Sequence, residues 1–158
     1  MRGQGVELVA DVRRYPGSRR MPWFSGPELE RSLAEAGVGY EHFESLGGRR
    51  SALAGSPNGG WRVGQFQGYA DHMESGEFAT ALGRLLGLAA EQRVAVMCAE
   101  AQWAKCHRRL LSDALVARGH DVLHVGPRGN PKPHELTDFA VVEGERVTYP
   151  PLQAELGV

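Results

Sequence analysis

The chain reads as α/β, a mainly parallel sheet flanked by helices with a small C-terminal hairpin, in one domain spanning residues 1–158. Three observations predict this. Val6 to Val12 (VELVADV) and Arg93 to Cys98 (RVAVMC) are apolar runs of strand length, as expected for strands buried on both faces. Helical spacing follows each run. The order along the chain is strand, helix, strand, helix, strand.

The elements follow in turn. After the first strand, Tyr15-Pro16-Gly17 breaks the chain into a loop. Ser25-Gly26-Pro27-Glu28 opens a helix, with Ser25 and Glu28 spaced for a capping box and Pro27 suited to the first turn. Leu29, Leu33 and Ala36 give that helix its apolar face, and Gly37 ends it. Val38 to Leu46 is a second strand, partly exposed because it carries Glu41, His42 and Glu44. Residues 47–64 hold six glycines and Pro57, and a loop of that length is usually functional or mobile. Phe66, Tyr69, Ala70 and Met73, then Phe78, Ala81, Leu82, Leu85, Leu86 and Ala89, lie at helical spacing. A helix is expected from about Ala104 to Arg118, then a short strand over Asp121 to Val125. Gly126 to His134 reads as a Pro/Gly loop carrying Arg128 and Lys132. Phe139 to Val142 and Arg146 to Tyr149 form the closing hairpin.

Composition limits the function classes. With 158 residues and 42% hydrophobic residues, the chain is long enough for one core and too apolar to be disordered. Eighteen basic against nineteen acidic residues leave a formal charge of −1, so bulk charge predicts no polyanion partner. The longest uncharged apolar stretch, Leu85 to Ala90, is too short for a bilayer, which predicts no membrane partner. Glu7, Asp11 and Arg13 interrupt any secretory signal. Two cysteines make no disulfide framework, and a reduced, cytoplasmic protein is expected.

The chemistry concentrates in Cys98-Ala99-Glu100 and Cys106-His107-Arg108. Cys98 ends a strand and Cys106 falls in the first turns of the next helix. Ligands in open α/β sheets bind beyond the strand ends, and helix N-termini favour thiolates. At about 100° per residue, Leu110, Leu111, Ala114 and Ala117 mark the core side of that helix, and His107 lies near its middle. His107 should therefore point at the sheet rim, toward Cys98 and Glu100. The plain alternative is a buried histidine fixing the helix start. Asp11 and Arg13 end the other strand and are candidates for the same rim. Arg13, Arg14, Arg19 and Arg20 lie within eight residues beside Trp23 and Phe24, an anion-binding cluster or else a solvated loop. Cys98, Cys106 and His107, with Glu100, His124 or His134, could hold a metal. Seven intervening residues is not a usual zinc spacing, however, and adjacent residues on a regular helix diverge. His42, His72 and His120 read as solvated; Trp61 and Trp103 read as pocket walls or core.

Val9-Ala10-Asp11-Val12-Arg13, Pro16 with Ser18-Arg19, Tyr40 with Leu46-Gly47-Gly48, Cys98-Ala99-Glu100 and Cys106-His107-Arg108 occur in this order. Together they resemble the bacterial domain-of-unknown-function family 488 (DUF 488). The resemblance runs from about Val6 to Tyr149 and implies an α/β domain; the family has no established activity. Its members usually begin with a further strand bearing a Thr-Ile-Gly-His-Ser-like segment and a helix, whereas this sequence begins almost directly at the Asp-Val-Arg strand, so the expectation is either a shortened start or a missing strand. The strand pair ending in Asp-Val-Arg and in cysteine is also similar to rhodanese-type sulfurtransferases. No short Gly-rich loop closing on arginine follows Cys98, so that likeness concerns architecture.

Three functions compete. The first is a thiol-dependent enzyme with Cys98, Glu100, Cys106 and His107 catalytic and Asp11, Arg13, Arg19 and Arg108 binding an anionic, nucleotide-like small molecule. The second is a nucleic-acid-binding module using Arg13 to Arg20, the 47–64 loop, and Trp23 or Trp61 for stacking. The third is a metal-binding domain using Cys98, Cys106 and His107. The residues name no cofactor.

Overall fold

The structure is a computed structural model of the 158-residue chain and describes residues 5–17, 20–126 and 130–151. In chain order the elements are β1 (Leu8–Asp11), α1 (Gly26–Glu35), β2 (Gly39–His42), α2 (Gly64–His72), α3 (Gly76–Ala89), β3 (Val94–Met97) and α4 (Arg108–Ala117). They are followed by β4 (Leu123–His124), β5 (Lys132–Pro133), β6 (Val141–Glu143) and β7 (Arg146–Thr148). Single 3-10 turns occupy Pro22–Phe24, Glu44–Leu46 and Trp103–Lys105. The fold is α/β, with a three-stranded parallel sheet flanked by helices, plus small antiparallel hairpins. Among the described residues no helix is long and apolar enough to cross a membrane. Contacts divide the chain into two compact units, Met1–Gly48 with Gly76–Ala99, and Arg49–Ser75 with Glu100–Val158.

The first unit is built on the sheet β2-β1-β3, all pairs parallel. β1 is central and buried along its whole length, which explains the apolar Leu8-Val9-Ala10 that precedes Asp11. β3 was expected to be equally buried; it lies at the sheet edge and is only half-buried throughout. Val9, Leu29 and Leu33 form one core cluster, with Val6, Val38, Tyr40 and Met97 packed on it. Ala36, expected on that face, is the exposed C-terminal cap of α1. Ser25 occupies the N-cap, yet its side chain makes no capping bond. Glu28 pairs with Arg31 instead, so the capping box does not form. Gly37 stops α1 with φ 77°, a left-handed conformation that disfavours any side chain. In α3, Phe78, Leu82 and Leu85 are buried at the expected spacing, and the helix packs on the Glu44–Leu46 turn. That turn takes the last residues of the segment expected to be strand.

In the second unit α2 and β7 pack on α4. Trp61 is buried among Phe66, Phe139 and Tyr149, with ring centroids 4.8–5.3 Å away. The Gly-rich loop is held down at Asp71 of α2. Its carboxylate accepts Leu53 N–H at 2.8 Å, Ser56 Oγ–H at 2.6 Å and Asn58 Nδ2–H at 2.7 Å. Gly68 allows the same loop to lie on α2, since a Cβ there would collide with the Arg50 carbonyl. β4 pairs antiparallel with β5, a two-residue strand inside the segment expected to be loop. The β6–β7 hairpin matches the expected position.

Candidate functional site

In the first unit, the parallel register aligns Asp11 with His42 on one side and with Met97 on the other. Asp11, His42 and Cys98, one residue beyond Met97, therefore share the carboxyl rim of the sheet. Asp11 is fully buried and accepts four hydrogen bonds. Arg13 N–H and Nε–H reach Oδ1 at 3.1 and 2.9 Å, while Arg13 Nη2–H and the Tyr40 hydroxyl reach Oδ2 at 2.7 and 2.6 Å. Burial pushes the Asp11 carboxyl up, but these donors together outweigh it and hold the group below its ordinary 3.8. The bond to Asp11 raises Arg13, and burial beside Asp11 pushes the Tyr40 phenol up. His42 was read as solvated. It is half-buried, and its Nε2 donates to the Arg13 carbonyl at 2.7 Å, because the register brings the ends of β1 and β2 together. Arg13 is thereby fixed at both its side chain and its backbone.

The second unit holds Cys106, His107 and Arg108. The helix expected from Ala104 begins at Arg108. Before it, the Trp103–Lys105 turn closes with Cys106 N–H on the Trp103 carbonyl, and Cys106 is extended (φ −129°, ψ 155°). The expected divergence of Cys106 and His107 therefore does not occur, because neither lies inside the helix. His107 is the N-cap, and its Nδ1 is 3.5 Å from Cys106 Sγ. Sγ also accepts the Arg108 backbone N–H at 3.5 Å and the Arg108 Nε–H at 3.4 Å. Arg108 Nη2 donates to the Glu100 carbonyl, so one guanidinium ties that loop to the sulfur. The Glu100 carboxylate is exposed and accepts Gln102 N–H at 3.0 Å. Cys106 and His107 are buried, and the Tyr69 ring lies 5.1 Å from that of His107. The backbone amide and the guanidinium facing the sulfur favour a thiolate, while its burial opposes one.

A further cluster in this unit was not anticipated. Asp113, fully buried in α4, accepts His134 Nε2–H at 2.7 Å, Thr137 N–H at 3.0 Å and the Tyr149 hydroxyl at 2.7 Å. His134 Nδ1 is 2.8 Å from His124 Nε2, and His124 stacks flat on Trp103 with centroids 3.7 Å apart. Burial, then His134 and Arg108, lower His124 to about 4. Burial and Asp113 push Tyr149 up. The signal available in sequence is an acid among apolar neighbours, Leu110-Leu111-Ser112-Asp113-Ala114-Leu115; the sequence offers the two histidines only as metal ligands.

Arg19 and Arg128 lie outside the described residues. Trp23 and Phe24 are exposed at 60% and 42%, while Trp61 is buried and offers no stacking face to a base. The first unit has a cleft of about 530 Å³ lined by Glu41, Glu44, Glu77 and Arg84 among others. Arg84 pairs with Glu41, so the cleft is acidic.

No curated protein and no solved structure matches the chain. A family model, described as Domain of unknown function DUF488, matches residues 1–115.

Proposed function

The chain belongs to the DUF488 family, and from that premise we propose that it is a thiol-dependent enzyme acting on an anionic small molecule, with Cys106 as its nucleophile. The observation that carries this reading is the set of donors around Cys106 Sγ, the Arg108 amide and Nε with His107 Nδ1 beside them. Transfer of the thiol proton to His107 Nδ1 leaves a thiolate held by Arg108. The sulfur then forms a bond to an electrophilic centre, and the departing group takes its proton back from His107. The Arg108 guanidinium attracts the substrate's negative charge. Glu100 positions Arg108 through its carbonyl. Two cysteines held as thiols suit a reducing cytoplasm.

Iodoacetate against iodoacetamide tests this. Both alkylate a thiolate with loss of iodide, but only iodoacetate is an anion. Cys106 is expected to react with iodoacetate the faster of the two, with saturation, and Arg108→Met should abolish the preference. Equal or slower reaction with iodoacetate removes the anion site, and an unreactive Cys106 removes the nucleophile.

One observation favours a second reading. The exposed Trp23 and Phe24 stand near Arg14 and Arg20 in the chain, which suits stacking and phosphate contact with single strands. Binding should weaken steeply with salt; no association at low salt ends this reading.

A further inference from the structure

Hydrogen bonding behind His124 fixes where its protons sit. Asp113 accepts a backbone N–H from Thr137 and the hydroxyl of Tyr149, a phenol that burial keeps protonated. A carboxylate is acceptor-only, so the proton between Asp113 and His134 rides on His134 Nε2. His134 Nδ1 is then a lone pair, and His124 Nε2, 2.8 Å away, must donate to it. The remaining nitrogen, His124 Nδ1, carries a lone pair and has no hydrogen-bond partner among the described residues. Trp103 fixes the ring plane. A structural account ends at His134, which with Thr137 and Tyr149 already satisfies Asp113. It does not explain a second, half-buried imidazole oriented through the first.

We infer that Asp113, His134 and His124 form a proton relay in which His124 is the catalytic proton acceptor for a hydroxyl or water at the anionic substrate of Arg108. His134 and Asp113 are positioning residues. The inference deepens the thiol reading and rests on it for the substrate's charge. The donor's proton moves to His124 Nδ1, and the His124 Nε2 proton moves to His134 Nδ1. His134 becomes an imidazolium between His124 and the Asp113 carboxylate, and the oxyanion left behind is attracted by Arg108. Trp103, stacked on His124, accepts the Cys106 N–H at its carbonyl, and Cys106 Sγ accepts the Arg108 Nε–H, so the Arg108 charge that disfavours a proton on His124 would favour that oxyanion. His134 and His124 both lie beyond the family match, which ends at residue 115.

Two measurements on the full chain test the relay. Nitrogen-15 spectra of histidine-labelled protein at pH 7 should show His124 and His134 each protonated at Nε2 and unprotonated at Nδ1. A His124 protonated at Nδ1, or averaging between tautomers, overturns the relay. Diethyl pyrocarbonate, which acylates neutral imidazole, supplies the pH profile. Between pH 7.5 and 5.5 an ordinary histidine slows roughly ten-fold. Free N-acetylhistidine added to the sample should follow that course, while His124 should slow less than two-fold. Parallel slowing, or a His124 that reacts only after denaturation, also overturns it. His134→Leu should unpin the His124 tautomer; the wild-type spectra decide the matter if that variant fails to fold. Iodoacetate labelling of the same sample separates the two readings. An inert Cys106 beside a pinned His124 supports the relay and removes the thiol reading; a reactive Cys106 beside a His124 protonated at Nδ1 does the reverse.

Discussion

Replacing Arg108 with methionine keeps the length of the side chain and removes the Nε–H donated to Cys106 Sγ at 3.4 Å. The backbone N–H at 3.5 Å and His107 Nδ1 at 3.5 Å stay. A hydrogen bond to a charged group contributes about 1.5–3 kcal/mol. Below the titration midpoint, that loss lowers the thiolate population about 10–100-fold. The thiolate that remains is a better nucleophile, because reactivity rises with basicity at a Brønsted slope of about 0.4–0.5. This compensation returns a factor of roughly 3–8, and the net slowing of iodoacetamide alkylation is about 3–10-fold. The pH–rate profile should also move to higher pH. Rates would be read by quenched peptide mass spectrometry, with Arg108→Lys expected between wild type and methionine because it keeps charge but not the fork. An Arg108→Met protein that alkylates as fast as wild type at pH 7, with its profile unmoved, refutes the reasoning.

Tyr40→Phe removes the 2.6 Å bond to Asp11 Oδ2 and should cost about 1.5–3 kcal/mol by urea unfolding at neutral pH. Asp11 lies below its unfolded 3.8, so its contribution is present above that pH and is lost as pH falls through the lower folded value. The gap between wild type and Tyr40→Phe should accordingly be constant at neutral pH and close in strong acid; a gap that widens in acid contradicts the assignment. Asp71→Ala leaves three loop donors without their acceptor. About 3 kcal/mol is expected, or about 6–12 °C in Tm for a chain of this size, and a drop under about 2 °C would show that the loop is held elsewhere. For His124, a folded value of about 4 against 6.5 unfolded means the unfolded chain takes up more protons between those limits. Stability should fall as pH drops through that window, and His124→Gln should flatten the slope; an unchanged slope places the proton uptake on another group.

Local patterns made much of the fold legible in sequence. β1 is apolar over Leu8, Val9 and Ala10 because it is central, and the Phe78, Leu82 and Leu85 spacing of α3 marks its buried face. Patterns that depend on tertiary partners were not legible. β3 resembles β1 in sequence and differs because it has one strand neighbour instead of two. Trp103–Lys105 has helical composition but closes as a 3-10 turn, and this moved the start of α4 to Arg108 and turned Cys106 Sγ toward the amide behind it. Ser25 and Glu28 have the capping spacing, yet Arg31 competes for Glu28. Asp113 and His134 were hidden because hydropathy counts an acid and an imidazole as surface residues. Their burial is offset by each other and by His124, Thr137 and Tyr149, all of which lie well apart from Asp113 in the chain. β5, two residues ending in proline, carries no strand signal.

The central claim is that Cys106 is held ready as a thiolate. Its most direct measurement is the iodoacetamide rate of each cysteine in the native chain at pH 6.5, where an ordinary thiol is about 1% ionised. Cys106 is predicted to be alkylated faster than both Cys98 and free cysteine. A Cys106 that is labelled only after the chain has been denatured would contradict the account.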